Sequence, residues 1–309
     1  MRTLVVGAGA TGGYYGARLA EAGADVTFLV RPARAERLAA EGLRVMSPRG
    51  DLHLPRPKTV TAATLGEAGP FDLVILSCKA YDLASAIEDF APAVGEGTAI
   101  LPLLNGMAHL DALDARFGAA RVLGGSCAIA ATLTPEGAIR HMSDLCSITY
   151  GERDGSASAR IAAVDALMRN GVAIQPRLSD AIIQEMWEKW VFLATLAGAT
   201  TLTRAAVGDI VAAPGGEAFI VALHEECTAI AAAAGYAPRE KVAAGARAQL
   251  TMAGSTFTAS MLRDIENHGR IEADHVIGDL IARRGSHATP ELDHVYTALK
   301  AYEARRART

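Results

Sequence analysis

Three glycines near the N-terminus constrain this chain more than any other feature. They are Gly7, Gly9 and Gly12 in "LVVGAGATGG". The run "RTLVV" ahead of them is short, apolar and β-rich. The stretch "GGYYGARLAEAG" behind them has helical spacing and stops at Gly23. A strand, a glycine turn and a helix in that order open a βαβ unit, and G-x-G-x-x-G in that setting is a dinucleotide-binding fingerprint. Gly7 permits the tight turn, Gly9 lets backbone approach a pyrophosphate, and Gly12 allows close helix–strand packing. Ala10 and Thr11 open the helix, whose free N–H groups and dipole favour an anion. A glycine-rich turn without a ligand is the alternative, and the flanking strand and helix weigh against it.

The alternation continues. "ADVTFLV" reads as a strand and "RPARAERLAAEG" as a helix from Pro32 to Gly42. The strand "FDLVILSC", the helix "YDLASAIEDFAPAVG", the strand "GTAILPLLNG" and the helix "MAHLDALDARFG" follow. This order predicts a doubly wound, Rossmann-type parallel α/β domain. From about 121 to 151 the chain is strand-rich, with a helix near 157–170 and the strand "GVAIQPRL" next; we expect these at the far edge of the same sheet. After Asp180 the strand signal ends. Helices are expected over 181–197, about 215–235, 237–252, 256–267 and 270–284, with a tail helix beyond Pro290. The expected organisation is therefore an α/β domain over 1–178 and an all-α domain over 179–309.

With 309 residues and half of them hydrophobic, the chain can build two cores. Its net charge of −4 gives no reason to expect a nucleic acid or an anionic membrane as partner. The four cysteines show no CxxC spacing and the eight histidines no ligand spacing, so no metal is expected. No apolar run is long enough to span a bilayer. The glycine density near the start argues against a signal peptide, and a cytoplasmic protein is expected. The oligomeric state is not readable, and a homodimer stays open.

The end of the second strand distinguishes between cofactors. An NAD site places an acid there for the ribose 2′-hydroxyl. This chain has "FLVRPARAER", with Arg31 at the strand end, Arg34 and Arg37 close by, and no acid before Glu36. A guanidinium suits a 2′-phosphate, so NADPH is expected over NADH. Ligands of doubly wound sheets lie beyond the carboxyl ends of strands. Lys79 in "SCKA" and Asn105 in "LLNG" stand at such ends, as candidates for cofactor or substrate contact; a surface lysine and an Asn-Gly turn are the plain alternatives.

In "EMWEKWVFLATLAGATTLT", Lys189 shares a helical stripe with Phe192, Leu193, Leu196 and Ala197. A lysine there either snorkels to water or has work to do. Trp187 and Trp190 beside it are expected to pack a domain interface. His268 and His275 lie close to the last motif, and neither is claimed.

The set "GAGATGG", "SCKA", "LLNG", "WEKWVF" and "ASMLRDIENHGRIEADHVIG" resembles the ketopantoate reductase (2-dehydropantoate 2-reductase) family over nearly the whole chain and in the same order. The resemblance implies NADPH-dependent reduction of ketopantoate to pantoate, a step of pantothenate biosynthesis. It implies Lys189 as the catalytic lysine and Glu272 as its acid partner. Ser260 takes the substrate carboxylate, and Lys79 and Asn105 lie near nicotinamide and substrate. The family carries asparagines one and two turns after the lysine, facing the substrate hydroxyl; this chain has Leu193 and Ala197 there, with Thr201 one turn further. A pocket without hydrogen-bonding groups discriminates weakly for a hydroxyl. The expected reaction is therefore reduction of a 2-oxo acid to a 2-hydroxy acid, with an acid of more apolar side chain favoured by these two positions and ketopantoate kept as the substrate the resemblance implies; oxidation of a D-2-hydroxy acid is the same chemistry in reverse. A non-catalytic NADPH-binding regulator is the reading from another class. A methyltransferase would want an acid where Arg31 stands.

Overall fold

β1 (Thr3–Val6) is buried at every residue, as a strand covered on both faces must be. The structure, a computed structural model, describes residues 1–308. After β1 come α1 (Ala10–Glu21), β2 (Val26–Leu29), α2 (Pro32–Glu41), β3 (Leu43–Met46), β4 (Leu52–Leu54) and β5 (Lys58–Val60). Then follow α3 (Leu65–Ala68), β6 (Phe71–Leu76), α4 (Leu83–Phe90), β7 (Val94–Pro102) and α5 (Ala108–Phe117). A long hairpin of β8 (Gly124–Leu133) and β9 (Ile139–Gly151) leads to α6 (Ala159–Arg169) and β10 (Gln175–Leu178). The remainder is helical: α7 (Ile182–Thr203), α8 (Val207–Ala212), α9 (Gly216–Ala233), α10 (Glu240–Leu250) and α11 (Ser260–Glu266). A π-helical segment (Asp274–Gly278) runs into α12 (Asp279–Ala282), and α13 (Pro290–Arg306) ends the chain.

The chain divides into two compact units. One holds Met1–Leu104 and His109–Ile183; the other holds Asn105–Ala108 and everything from Gln184 onward. In the first unit a five-stranded sheet has the order β5-β2-β1-β6-β7, with every pairing parallel. This is the doubly wound arrangement that the alternating sequence predicts.

The strands after residue 121 do not extend that sheet as expected. They build a second one, in which β9 pairs with β8, β10 and β3, and β3 with β4. Two glycines explain the departure. Val122 and Leu123 still run alongside β7, where the Leu123 amide donates to the Ile100 carbonyl (2.9 Å). A Cβ on Gly125 would then lie 2.2 Å from the Pro102 carbonyl oxygen, and one on Gly124 would lie 2.6 Å from Ile182 Cγ2. Only glycines pass here, and the chain leaves the first sheet at that point to pair with β9.

α1 lies between the two sheets, and its glycines set how closely. A Cβ on Gly16 would stand 2.6 Å from Phe28 Cε1 of β2 and 3.0 Å from Val5 Cγ2 of β1. A Cβ on Gly13 would stand 2.4 Å from Ile139 Cδ1 of β9. Tyr14 and Tyr15 fill the remaining space; both rings are fully buried and their hydroxyls donate to the carbonyls of Ala173 and Ser147, each at 2.8 Å. Gly16→Val should therefore overpack the layer and cost about 1–3 kcal/mol. Chemical denaturation checks this, and an unchanged midpoint would contradict the close approach of α1 to β2.

Candidate active site

The glycine loop is shaped by what surrounds each glycine. Gly7 has φ of +93°, open to glycine without strain. A Cβ on Gly12 would collide with Ser77 Oγ at 2.0 Å and with the Gly7 carbonyl oxygen at 2.5 Å. Ser77, at the end of β6, is itself fixed by donating to the Val6 carbonyl (3.0 Å). Gly9 is different: a Cβ there would meet nothing within 4 Å. The protein does not itself require glycine at that position, and the open space is what a pyrophosphate approaching the start of α1 needs. These residues fit a nicotinamide dinucleotide, with Ala10 and Thr11 half-exposed at the helix start.

The basic residues beyond β2 divide in two directions. Arg31 precedes α2, is 75 % exposed and pairs with Asp82 (3.0 Å). Arg34, one turn on, reaches back and donates to the Ala8 carbonyl in the glycine loop (3.2 Å). Lys79 is exposed, just after β6.

In the helical unit, α7 organises the remaining candidates. It is 22 residues long, about 33 Å at 1.5 Å per residue. Its polar groups fall into two sets. Glu188 is buried and bound by Arg239 through Nη2 (2.6 Å), Nε (2.8 Å) and the backbone amide (2.9 Å). Burial pushes its carboxyl up, and the hydrogen bonds from Arg239 outweigh that and hold it below its usual range. Lys189 is half-buried, one residue along and pointing elsewhere, on the stripe with half-buried Leu193 and buried Ala197. Beyond them the hydroxyls of Thr200 and Thr201 donate to the carbonyls of Leu196 (2.7 Å) and Ala197 (2.6 Å). The two tryptophans are buried and have partners within this unit. Trp187 stacks on Tyr236 with centroids 5.6 Å apart, and Trp190 is 1 % exposed.

Two hydrogen bonds bring the last motif to α7. Trp190 Nε1 donates to the Val276 carbonyl (2.8 Å), and the Val276 amide donates to the Glu272 carbonyl (3.0 Å). Glu272 thus stands at the entrance to a helix held against the residue next to Lys189. That helix is not the uninterrupted one expected over 270–284. Its first turns are π-helical, with the Asp279 amide reaching back five residues to the Asp274 carbonyl. Asp274 turns to α13, where it pairs with Lys300 (2.9 Å) and accepts from the Tyr296 hydroxyl (2.7 Å). π-turns of this kind concentrate at functional sites.

The Ala259 amide lies 3.4 Å from Thr200 Oγ1, which sets exposed Ser260 at the start of α11 near the far end of the α7 stripe. Asn105 belongs to the short segment that joins the helical unit. Its neighbour Gly106 has φ of +78°, and a Cβ there would lie 2.6 Å from the His275 carbonyl oxygen. Lys189, Leu193, Ala197, Ser260, Glu272 and Asn105 therefore share one unit, and the glycine loop, Arg31 and Lys79 share the other. Among the described residues no group of His, Cys, Asp and Glu is arranged to hold a metal ion, and no helix is long and apolar enough to cross a membrane.

His275, left unclaimed by the sequence, packs against the Asn105-Gly106 turn. The signal for it was the glycine, because only the absent side chain at 106 leaves room for the His275 backbone and ring. Burial pushes the His275 imidazole below its ordinary pKa; Glu272 and Asp279 oppose the shift and Arg283 adds to it. His224 is lowered in the same way, by burial and then Arg247.

Two predictions follow from this geometry. Trp190→Phe removes the indole N–H and orphans the Val276 carbonyl, which should cost at least about 1–3 kcal/mol in a urea titration. For the histidines, the unfolded chain binds protons that the native state refuses. Stability should be full above about pH 6.5 and fall as the pH drops below it. The fall should be shallower in His275→Gln; an identical pH profile in that variant would show that the imidazole does not carry the effect.

Comparison with known proteins agrees with this arrangement. The family model described as "Ketopantoate reductase PanE/ApbA" matches residues 3–155, and the one described as its C terminal matches residues 181–303. The oxidoreductase YkpB of Bacillus subtilis (strain 168) is 39% identical over 99% of this chain and 100% of its own. The crystal structure of 2-dehydropantoate 2-reductase from Geobacter metallireducens GS-15 superposes with a TM-score of 0.88 at 30% identity, covering 97% of this chain and 99% of that one. A ternary structure of D-mandelate dehydrogenase with NADH and anilino(oxo)acetate shares the fold, with a TM-score of 0.87 at 20% identity over 99% of each chain. With both halves of the chain matched in order, the chain is an oxidoreductase of the ketopantoate reductase family.

Proposed function

We propose that this protein reduces a 2-oxo acid to a 2-hydroxy acid with NADPH, that Lys189 supplies the proton, and that the substrate side chain is more apolar than that of ketopantoate. The face of α7 carries the reading. Lys189 is followed at one and two turns by Leu193 and Ala197, and the one hydroxyl that follows on that face, Thr201, donates to the Ala197 carbonyl (2.6 Å). That donor is committed inside the helix, so it does not make good the amides that family members carry at the two preceding turns. The side chains of Leu193 and Ala197 offer no hydrogen bond to a substrate hydroxyl.

A nicotinamide dinucleotide held by the Gly7–Gly12 loop would supply a hydride to the carbonyl carbon. Negative charge then develops on the carbonyl oxygen. The Lys189 ammonium stabilises that charge and gives its proton to the oxygen, completing the alcohol. On a half-buried apolar stripe both effects exceed their value in water. Glu272 limits the cost of keeping the ammonium there and orients it. Ser260 receives the substrate carboxylate, and the Asn105 amide orients the carbonyl. NADPH rather than NADH favours reduction as the direction in the cell.

The test is NADPH consumption by the purified protein across ketopantoate, 2-oxoisovalerate, 2-oxoisocaproate and phenylglyoxylate. The last corresponds to D-mandelate, for which a protein of this fold is named. A branched or aryl acid should be preferred, and Lys189→Ala should lose about 10²–10⁴ in kcat. Ketopantoate turned over far more efficiently than the others would refute the apolar pocket. NADPH binding with no turnover of any acid would favour a regulator instead.

A further inference from the structure

Phe257 is the one aromatic side chain among the described residues that stands exposed, at 43 %. A single apolar side chain on a surface needs no explanation, but this one is paired and pinned. Its ring packs on that of Phe192, with centroids 6.1 Å apart and planes 29° from parallel. Its carbonyl accepts from the Val207 amide at the start of α8 (3.0 Å), and its amide donates to Ser255 Oγ (3.2 Å). The Gly208 amide donates to the Ser255 carbonyl (2.8 Å), and a Cβ on Gly208 would stand 2.3 Å from the Ser255 nitrogen. Two residues beyond Phe257, the Ala259 amide meets Thr200 Oγ1 of α7 (3.4 Å). The segment is held from α8 on one side and α7 on the other, so the exposure of the ring is built into the fold.

Phe192 places the pair. It is half-buried and three residues after Lys189, which puts the two Cβ atoms about 5–6 Å apart on α7. Phe257 stands three residues before Ser260. An acid held with its keto oxygen at Lys189 and its carboxylate at Ser260 therefore lies beside both rings. Two offset, nearly parallel rings leave the outer one with an open π-face, and a third ring extends such a stack at centroid separations of about 4.5–7 Å. A branched aliphatic chain gains only buried area from the same surface. We propose that Phe192 and Phe257 form an aromatic platform that selects 2-oxo acids with an aryl side chain, and that Phe257 is a specificity-determining residue of the site.

This deepens the proposed function and rests on it, and the experiment separates the two. Values of kcat and KM would be measured for phenylglyoxylate, phenylpyruvate and 2-oxoisocaproate, with whichever of NADPH and NADH the wild type uses. The proteins are the wild type, Phe257→Leu, Phe257→Tyr, Phe192→Leu and Met252→Ala, each with its melting temperature. Ratios between substrates, compared across variants, cancel the differing reactivities of the ketones. The aryl-to-aliphatic ratio of kcat/KM should fall about 3–10-fold in Phe257→Leu and in Phe192→Leu, mainly through KM for the aryl acids. Phe257→Tyr keeps the ring face and should keep the ratio. Met252→Ala removes an exposed apolar side chain that is no part of the pair and should leave the ratio where it is. A wild type that reduces no 2-oxo acid would sink the proposed function and the platform with it. A wild type that reduces 2-oxo acids but prefers 2-oxoisocaproate, or a Phe257→Leu that slows every acid alike, would overturn the platform alone.

Discussion

The close approach of α1 to the strands beneath it is the constraint on which the first unit depends. Ser77 Oγ, anchored on the Val6 carbonyl, lies where a side chain at residue 12 would be. That contact sets how closely the start of the helix approaches the ends of β1 and β6. Gly13 and Gly16 then let the same helix serve two sheets, with Ile139 on one side and Phe28 on the other. A helix with ordinary side chains has a diameter of about 10–12 Å and would hold the sheets further apart. The glycines spaced along α1 thus set how closely the second sheet approaches the first, and that second sheet carries the hairpin turn beside Arg34.

The helical unit depends in the same way on α7. Its buried threonines are an uncommon choice in a helix interior, since β-branched residues lose rotamer freedom there. Their hydroxyls are satisfied within the helix, each bonding a carbonyl four residues back. This allows a polar residue inside the core without a partner from elsewhere, at little cost in packing. It also leaves Thr200 Oγ1 able to accept from Ala259, which fixes the approach of the Ser260 segment. The Trp190 indole does the equivalent for the Glu272 segment. Neither link touches the lysine itself, so the stripe around Lys189 is positioned by residues on the other faces of the helix.

The parts of this architecture legible in the sequence were those with a period or a punctuation mark. The βαβ alternation, the cap glycines and the long apolar helices were all readable because local spacing decides them. The second sheet was not, because the decision lies in Gly124 and Gly125, and what forbids a side chain there is the Pro102 carbonyl and Ile182, distant in sequence. The π-turn was hidden for a related reason. The pattern over 270–284 is helical, and whether an amide bonds four or five residues back is settled by packing, not by composition. Of the candidate residues, those of the loop were legible from glycines and those of the helical unit only from resemblance to a family. Arg34 was legible as one of three arginines, but not its difference from Arg31, which depends on Asp82 and on a hairpin turn a hundred residues away.

Leu193 and Ala197 bear on more than the substrate. An amide at either position would need its donors and acceptor satisfied whenever the substrate is absent, by water or by a neighbour. With apolar residues there, the stripe needs no such partner, and Lys189 is the one group on it that gains from a charged ligand. On the proposed reading, binding selectivity would shift from hydrogen bonding along the side chain to the carboxylate and carbonyl end of the acid. A pocket of this composition discriminates between apolar side chains by size, at about 1–3 kcal/mol per methylene, and between apolar and hydroxylated ones only weakly. The proposed function therefore entails a range of related 2-oxo acids rather than one, with the choice among them set by the volume left beside Leu193 and Ala197.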